Sequence, residues 1–127
     1  MLRLLSVVAA EVLLQVDSWT PELVDIEAQA KTDASVLLFV IDRQTRALAS
    51  MIEASEYVST GRKIVLVIQQ VAVGTVIGSG KVDEAEAKDL NRARSYLRDV
   101  ASRHEMSNVY DNIPEAIQAV VTMNNAQ

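Results

Sequence analysis

The stretch VLLFVIDRQTRALASMIEASEYVSTGRKIVLVI, from Val36 to Ile68, decides the fold. Its two ends, VLLFVI (Val36 to Ile41) and KIVLVI (Lys63 to Ile68), are short apolar runs rich in β-branched residues and without polar alternation. A strand with one wet face alternates, whereas a strand covered on both faces does not. These runs therefore predict strands of a parallel sheet flanked by helices. Between them Ala47, Leu48, Met51, Ile52, Ser55 and Val58 recur at helical spacing and predict one inward-facing stripe. Thr60-Gly61 ends that helix, with Gly at the expected C-terminal position. Strand, helix and strand within about thirty residues make a βαβ unit with a right-handed crossover.

Working outward, the same alternation continues on both sides. Asp83 to His104 reads as a long amphipathic helix with Leu90, Ala93, Leu97, Val100 and Ala101 on its inner side. A short strand, NVYD (Asn108 to Asp111), follows. Asn112 then caps a last helix with Pro114 in its first turn and Ile117, Val120 and Val121 facing inward. Upstream, Thr20-Pro21-Glu22 opens a helix that runs to about Lys31, with Thr20 as cap and Trp19 stapling the entry of the chain. The pattern αβαβαβα predicts a doubly wound, flavodoxin- or Rossmann-like α/β fold: a mostly parallel sheet with helices on both faces, formed by residues 1–127 as one domain. Met1 to Val16 is atypical. LLSVVAAEVLLQV fits one helix or two strand fragments, and periodicity does not choose between them.

Composition narrows the function classes. The chain has 127 residues, half of them hydrophobic and 23% charged, which suits one domain with a real core and excludes low complexity. The formal net charge is −5, with no basic run, so a nucleic-acid partner is not expected. Zero cysteines exclude a disulfide scaffold, thiolate zinc and a cysteine nucleophile, and fit a reducing, cytoplasmic setting. No stretch supplies the ~20 apolar residues of a membrane span, so no membrane partner is expected. The opening MLRLLSVVAAEVLLQV imitates a secretory signal, but Glu11 interrupts the apolar run and no clean small-residue cleavage site appears.

Ligands of open α/β sheets sit outside the carboxyl ends of the strands. The first central strand delivers Asp42-Arg43-Gln44-Thr45-Arg46 there, directly before a helix whose N-terminus offers N–H groups and partial positive charge. Arg46, Ala49, Ser50, Glu53 and Tyr57 lie three or four apart and share one face beside the apolar stripe. A carboxylate on a small-residue face there reaches a ligand, although most helix carboxylates are plain surface charges. GTVIGSGKV (Gly74 to Val82) imitates a phosphate loop. It fails because five residues, not four, separate Gly74 from Gly80, and Val82 stands where Ser or Thr would hold Mg²⁺. It reads as a flexible loop over the edge of the crevice. His104, the single histidine, sits at a helix C-terminus, where a cation is favoured, so neither a catalytic triad nor a multi-histidine metal site is expected. No Gly-x-Gly-x-x-Gly follows a strand, which argues against a dinucleotide cofactor.

DIEAQAKTDASVLLFVI (Asp25 to Ile41), TRALASMIEA (Thr45 to Ala54) and GRKIVLVI (Gly61 to Ile68) together resemble the nucleoside 2-deoxyribosyltransferase-like family. KDLNRARSYLRDVA (Lys88 to Ala101) and the Asp111-Asn112 turn add to the resemblance, which covers roughly residues 19–123. By that resemblance Glu53 matches the nucleophilic glutamate, Asp25 the aspartate of the sugar and base pocket, and Asp33 an aspartate that starts a strand. Asp42, Arg46, Ser50 and Trp19 fall where substrate would be held. The resemblance implies a deoxyribosyltransferase or a deoxynucleoside or deoxynucleotide N-glycosidase working through a covalent glycosyl-glutamate, with Asp25 orienting the sugar or helping the base accept a proton. It implies no cofactor or metal, a small nucleoside or nucleotide as partner, and a homo-oligomer. The family's first strand and its turn are not recognisable in Met1 to Val16, and Ala47 and Ala49 stand where glycines commonly let substrate approach. The alternative is therefore a catalytically inactive domain of the same fold that binds a ligand or a protein.

Overall fold

A computed structural model of the chain describes residues 4–8, 11–13, 21, 29, 32 and 34–125. Its elements are β1 (Leu4–Val8), β2 (Glu11–Leu13), β3 (Val36–Ile41), α1 (Leu48–Ser59), β4 (Ile64–Ile68), β5 (Val76–Ile77), β6 (Gly80–Lys81), α2 (Glu84–Arg103), β7 (Val109–Tyr110) and α3 (Ile113–Asn125). Five strands form one sheet in the order β2-β1-β3-β4-β7. β3, β4 and β7 run parallel, with Leu37 opposite Ile64, Ile41 opposite Ile68 and Leu66 opposite Val109. β1 lies antiparallel against the free edge of β3 and pairs in turn with β2. The opening segment thus resolves as two strand fragments. The helix expected from Thr20 to about Lys31 lies largely outside the described residues.

Every side chain of β3 and β4 is buried, which is why their sequences do not alternate. Leu37, Phe39 and Ile41 of β3, with Ile64, Leu66 and Ile68 of β4, meet α1 and α2 on one face of the sheet. Val36, Leu38, Val40, Val65 and Val67 meet Ala116 and Val120 of α3 on the other. Helices therefore cover both faces, as the apolar runs required. The strand period of two splits one hydrophobic run between two cores.

Three expectations need correction at the level of faces and loops. The inner side of α1 is Ser50, Met51, Ala54 and Val58, whereas Leu48 is 55% and Ile52 72% exposed. Small residues let α1 approach the sheet and α2 closely, and the two large aliphatic side chains are displaced outward. On α3 the buried residues are Ala116 and Val120, with Ile117 and Val121 each 45% exposed. The glycine-rich segment is not a loop throughout: β5 and β6 pair as a short hairpin, Val76 opposite Lys81, with Gly78 at φ +60° in its turn. Val82 is buried with Val71, Ala87 and Leu90, anchoring the hairpin to α2.

Helix ends follow the sequence signals. Asp83 caps α2 by accepting from the Glu86 N–H, and Asn112 caps α3 by accepting from the Glu115 N–H. α1 ends at Gly61, φ +78°, where the Arg62 N–H returns to the Tyr57 carbonyl. α2 ends in the same geometry with His104 as cap. There the left-handed position is occupied by Glu105, φ +57°, and the Met106 N–H returns to the Ala101 carbonyl.

Candidate functional site

The carboxyl end of β3 leads into a tight turn. Asp42 is buried, and its Oδ1 accepts from the Gln44 N–H at 3.1 Å and the Thr45 hydroxyl at 2.8 Å. Such a side chain builds the turn. The turn ends at Ala47, whose φ of 57° and ψ of 31° are left-handed, a conformation that costs a residue with a Cβ about 1–2 kcal/mol. α1 then starts with no side-chain cap and no acidic residue in its first turn.

The residue that organises this region is Arg94 of α2, only 1% exposed. Its Nε donates to the Gln69 carbonyl at 2.7 Å, and its Nη2 donates to the carbonyls of Asp42 and Thr45, each at 2.8 Å. Its Nη1 donates to the carbonyls of Arg46 and Leu90, each at 3.4 Å. All five guanidinium N–H groups thus meet backbone carbonyls. Burial lowers the Arg94 pKa from its ordinary value, and the nearby Asp42 carboxylate opposes that shift. Asn91 clamps Val71 through both its backbone N–H and its carbonyl, and Arg98 donates to the Ile68 carbonyl at 2.7 Å. Gln69 accepts from the Arg43 N–H and donates to the Asp111 carbonyl, joining the ends of β3, β4 and β7. One helix therefore fixes the carboxyl edge of the sheet.

Beyond that edge lies a cleft of about 270 Å³ lined by Thr45, Arg46, Ala47, Leu48, Ala49, Ser50 and Ile77. The β5–β6 hairpin contributes Ile77 and so forms one wall. Arg46, with its side chain 43% exposed, pairs with Glu86 of α2 at 2.9 Å. Ser50 is 1% exposed, and among the described residues its hydroxyl has no hydrogen-bond partner. The carbonyl to which a helical serine ordinarily turns back, that of Arg46, is engaged by Arg94.

Glu53 stands one helical turn further along, on the face of Ala49 and Ser50, and is half-buried. Its carboxylate has an interaction partner in the fold. Tyr57, another turn on, packs its ring 6.2 Å from that of Phe39 beneath the Arg62 guanidinium. The structure thus puts Ser50 and Glu53 one turn apart on α1, whereas Arg46, expected on the same helix face, precedes the left-handed Ala47 and lies with Asp42 in the turn before the helix. Asp25, Asp33 and Trp19 lie outside the described residues. Among the described residues no group of three or more His, Cys, Asp or Glu side chains could hold a metal ion, and no helix is long and apolar enough to cross a membrane.

Arg94 escaped the sequence reading, yet a signal was present. Leu90, Arg94, Leu97 and Ala101 are spaced four, three and four apart, which puts the arginine on the buried stripe of α2.

The stretch that carries this geometry also carries a match to a known family. Residues 11–71 match the nucleoside 2-deoxyribosyltransferase-like family. The match spans just under half of the chain and includes β3, the Asp42 turn, the cleft-forming start of α1, Glu53 and β4. The α/β architecture, with its parallel β3-β4-β7 core, agrees with that family's Rossmann-like fold. Comparison with curated proteins and with solved structures gives no significant match.

Proposed function

We propose that the chain is an N-glycosyl transferase or hydrolase of deoxynucleosides or deoxynucleotides, with Glu53 as its nucleophile. What supports this reading is a half-buried carboxylate on α1, one helical turn beyond the cleft-lining Ala49 and Ser50 at the carboxyl edge of the sheet. In the first step a Glu53 oxygen attacks the anomeric carbon while the bond from that carbon to the base nitrogen breaks. The base leaves with the bonding electron pair and takes a proton, which Asp25 supplies or relays in the family pattern. Water or a second base then attacks the same carbon and displaces the glutamate. Two inversions retain configuration. Glu53→Gln keeps the shape and hydrogen bonding of the side chain but removes its nucleophilic charge. Wild-type protein incubated with deoxynucleosides and their monophosphates is expected to release free base, and Glu53→Gln to lose that activity. Equal release by both proteins would remove Glu53 from the mechanism.

A binding module of the same fold is the second reading. It is favoured by Asp42, whose carboxylate builds the turn and is thereby withdrawn from acid–base work. Calorimetry with nucleosides in the absence of any turnover would favour the module; base release would favour the enzyme. By family resemblance the working unit is a homo-oligomer, and light scattering showing a clean monomer at working concentration would count against that.

A further inference from the structure

We propose that the β5–β6 hairpin is a lid that swings between two apolar seats, one on α2 and one on α1, and shuts the cleft when it takes the second. Ile77 is the side chain that changes seat. It lines the cleft together with Leu48, and it packs, partly buried, against Val71, Val82, Ala87 and Leu90 on the α2 side. The seat on α1 is uncovered. Leu48 is 55% and Ile52 72% exposed, and the two lie one helical turn apart on the same face. Single exposed aliphatic side chains are ordinary. Here a pair of them borders a cleft whose other wall is an isoleucine, so the segment that would cover them is already tethered beside them.

The hairpin is tied at its base. Asn91 of α2 holds both backbone groups of Val71, Val82 is buried, and Asp83 is committed to capping α2. Between these anchors the two legs bond to each other, with Val76 opposite Lys81 and the Gly74 N–H donating to the Val82 carbonyl. Among the described residues no hydrogen bond or ion pair joins residues 76–81 to α1 or α2. Gly74, at φ +89°, has no atom within 4 Å of where a Cβ would stand, so its torsions turn without obstruction at the pivot. A few such residues suffice to absorb the motion of a lid. The faces suit that motion. Successive strand residues point to opposite sides, so Ile77 shares its side with Gly80, which has no side chain to intervene, while Val76 and Lys81 stay on the outer side. The reach suits it as well: Gly74 to Gly78 spans about 13 Å, and Leu48 to Ile52 about 6 Å. Closing takes two aliphatic side chains out of water, and opening returns Ile77 to the α2 cluster, so each seat offsets the loss of the other.

Closure over a bound deoxynucleoside rests on the glycosyl reading above; the two seats do not. The chain has no cysteine, so Ser79→Cys at the hairpin tip and Glu56→Cys on α1 take one spin label each and nothing else is labelled. Double electron–electron resonance is expected to show two distances, the shorter being the closed lid. Leu48→Ser combined with Ile52→Ser, both at exposed positions that leave the fold intact, is expected to lower the ratio of short to long distance at least about tenfold. Added 2′-deoxynucleosides are expected to raise that ratio at least about threefold. One distance in the doubly labelled parent, or two whose ratio ignores the serine variants, would overturn the lid. A single distance together with Glu53-dependent base release would sink the lid alone and leave the glycosyl reading standing. Two distances that obey the serine variants, with no base release and no response to deoxynucleosides, would do the reverse.

Discussion

A single buried guanidinium, Arg94, satisfies carbonyls from the ends of β3 and β4 and from its own helix. Removing it orphans several buried carbonyls at once, each costing about 1–3 kcal/mol. Arg94→Met is therefore expected to destabilise the fold by roughly 3 kcal/mol or more, read from the midpoint of urea unfolding. A loss below about 1 kcal/mol would mean that the guanidinium does not hold the turn. Two other residues work against their own backbone conformation, Ala47 at φ 57° and Glu105 at φ 57°. Glu105 occupies the left-handed position that Gly61 fills at the end of α1, and it faces solvent. Glu105→Gly is thus expected to gain about 0.5–1 kcal/mol, the strain relieved outweighing the added freedom of the unfolded chain. A stability loss in the same unfolding measurement would refute the strain. These features were only partly legible in the sequence. Asp42 stood at the right place, but a carboxylate that builds a turn and one that meets a ligand look alike until its hydrogen bonds are known.

Elements were legible where burial dictates composition. VLLFVI and KIVLVI could only be strands covered on both faces, and β3 and β4 are that. Periodicity placed α1 correctly along the chain and set Met51 and Val58 on its inner face, but it turned the rest of the stripe too far around the axis. It favoured Leu48 and Ile52, while the packed face holds Ser50 and Ala54. A hydrophobic stripe marks where apolar side chains are, and close packing against a sheet selects small ones. The consequence is measurable. Ile52→Ser is expected to change stability by less than about 0.5 kcal/mol, whereas Ala54→Leu forces extra volume into a filled interface and costs about 1–3 kcal/mol. The reverse order in thermal unfolding would restore the stripe read from the sequence. Met1 to Val16 gave two answers because LLSVVAAEVLL satisfies both periods. Pairing with the free edge of β3 chooses the strand, and that long-range contact leaves no mark in the local pattern.

At the scale of the whole molecule, a parallel core flanked by helices carries a cleft beyond its carboxyl edge, and the family match spans the strand, turn and helix that build it. The sequence pointed to this edge because open α/β sheets bind ligands there, and the resemblance pointed to Glu53. Neither could show that α2, outside the matched stretch, fixes the edge through Asn91, Arg94 and Arg98. Loosening that clamp should be felt locally: Asn91→Ala is expected to speed amide exchange at Val71 and through the hairpin while the amides of β3 and β4 keep their protection. Uniform acceleration across the sheet would instead mean that the clamp supports the entire fold. The central claim concerns covalent chemistry at one carboxylate. Wild-type chain quenched in acid during turnover of a deoxynucleotide, and weighed intact, is expected to carry one deoxyribosyl unit, with or without its phosphate, that fragmentation locates on Glu53. Base release without any such adduct, or an adduct that persists in Glu53→Gln, would contradict the account.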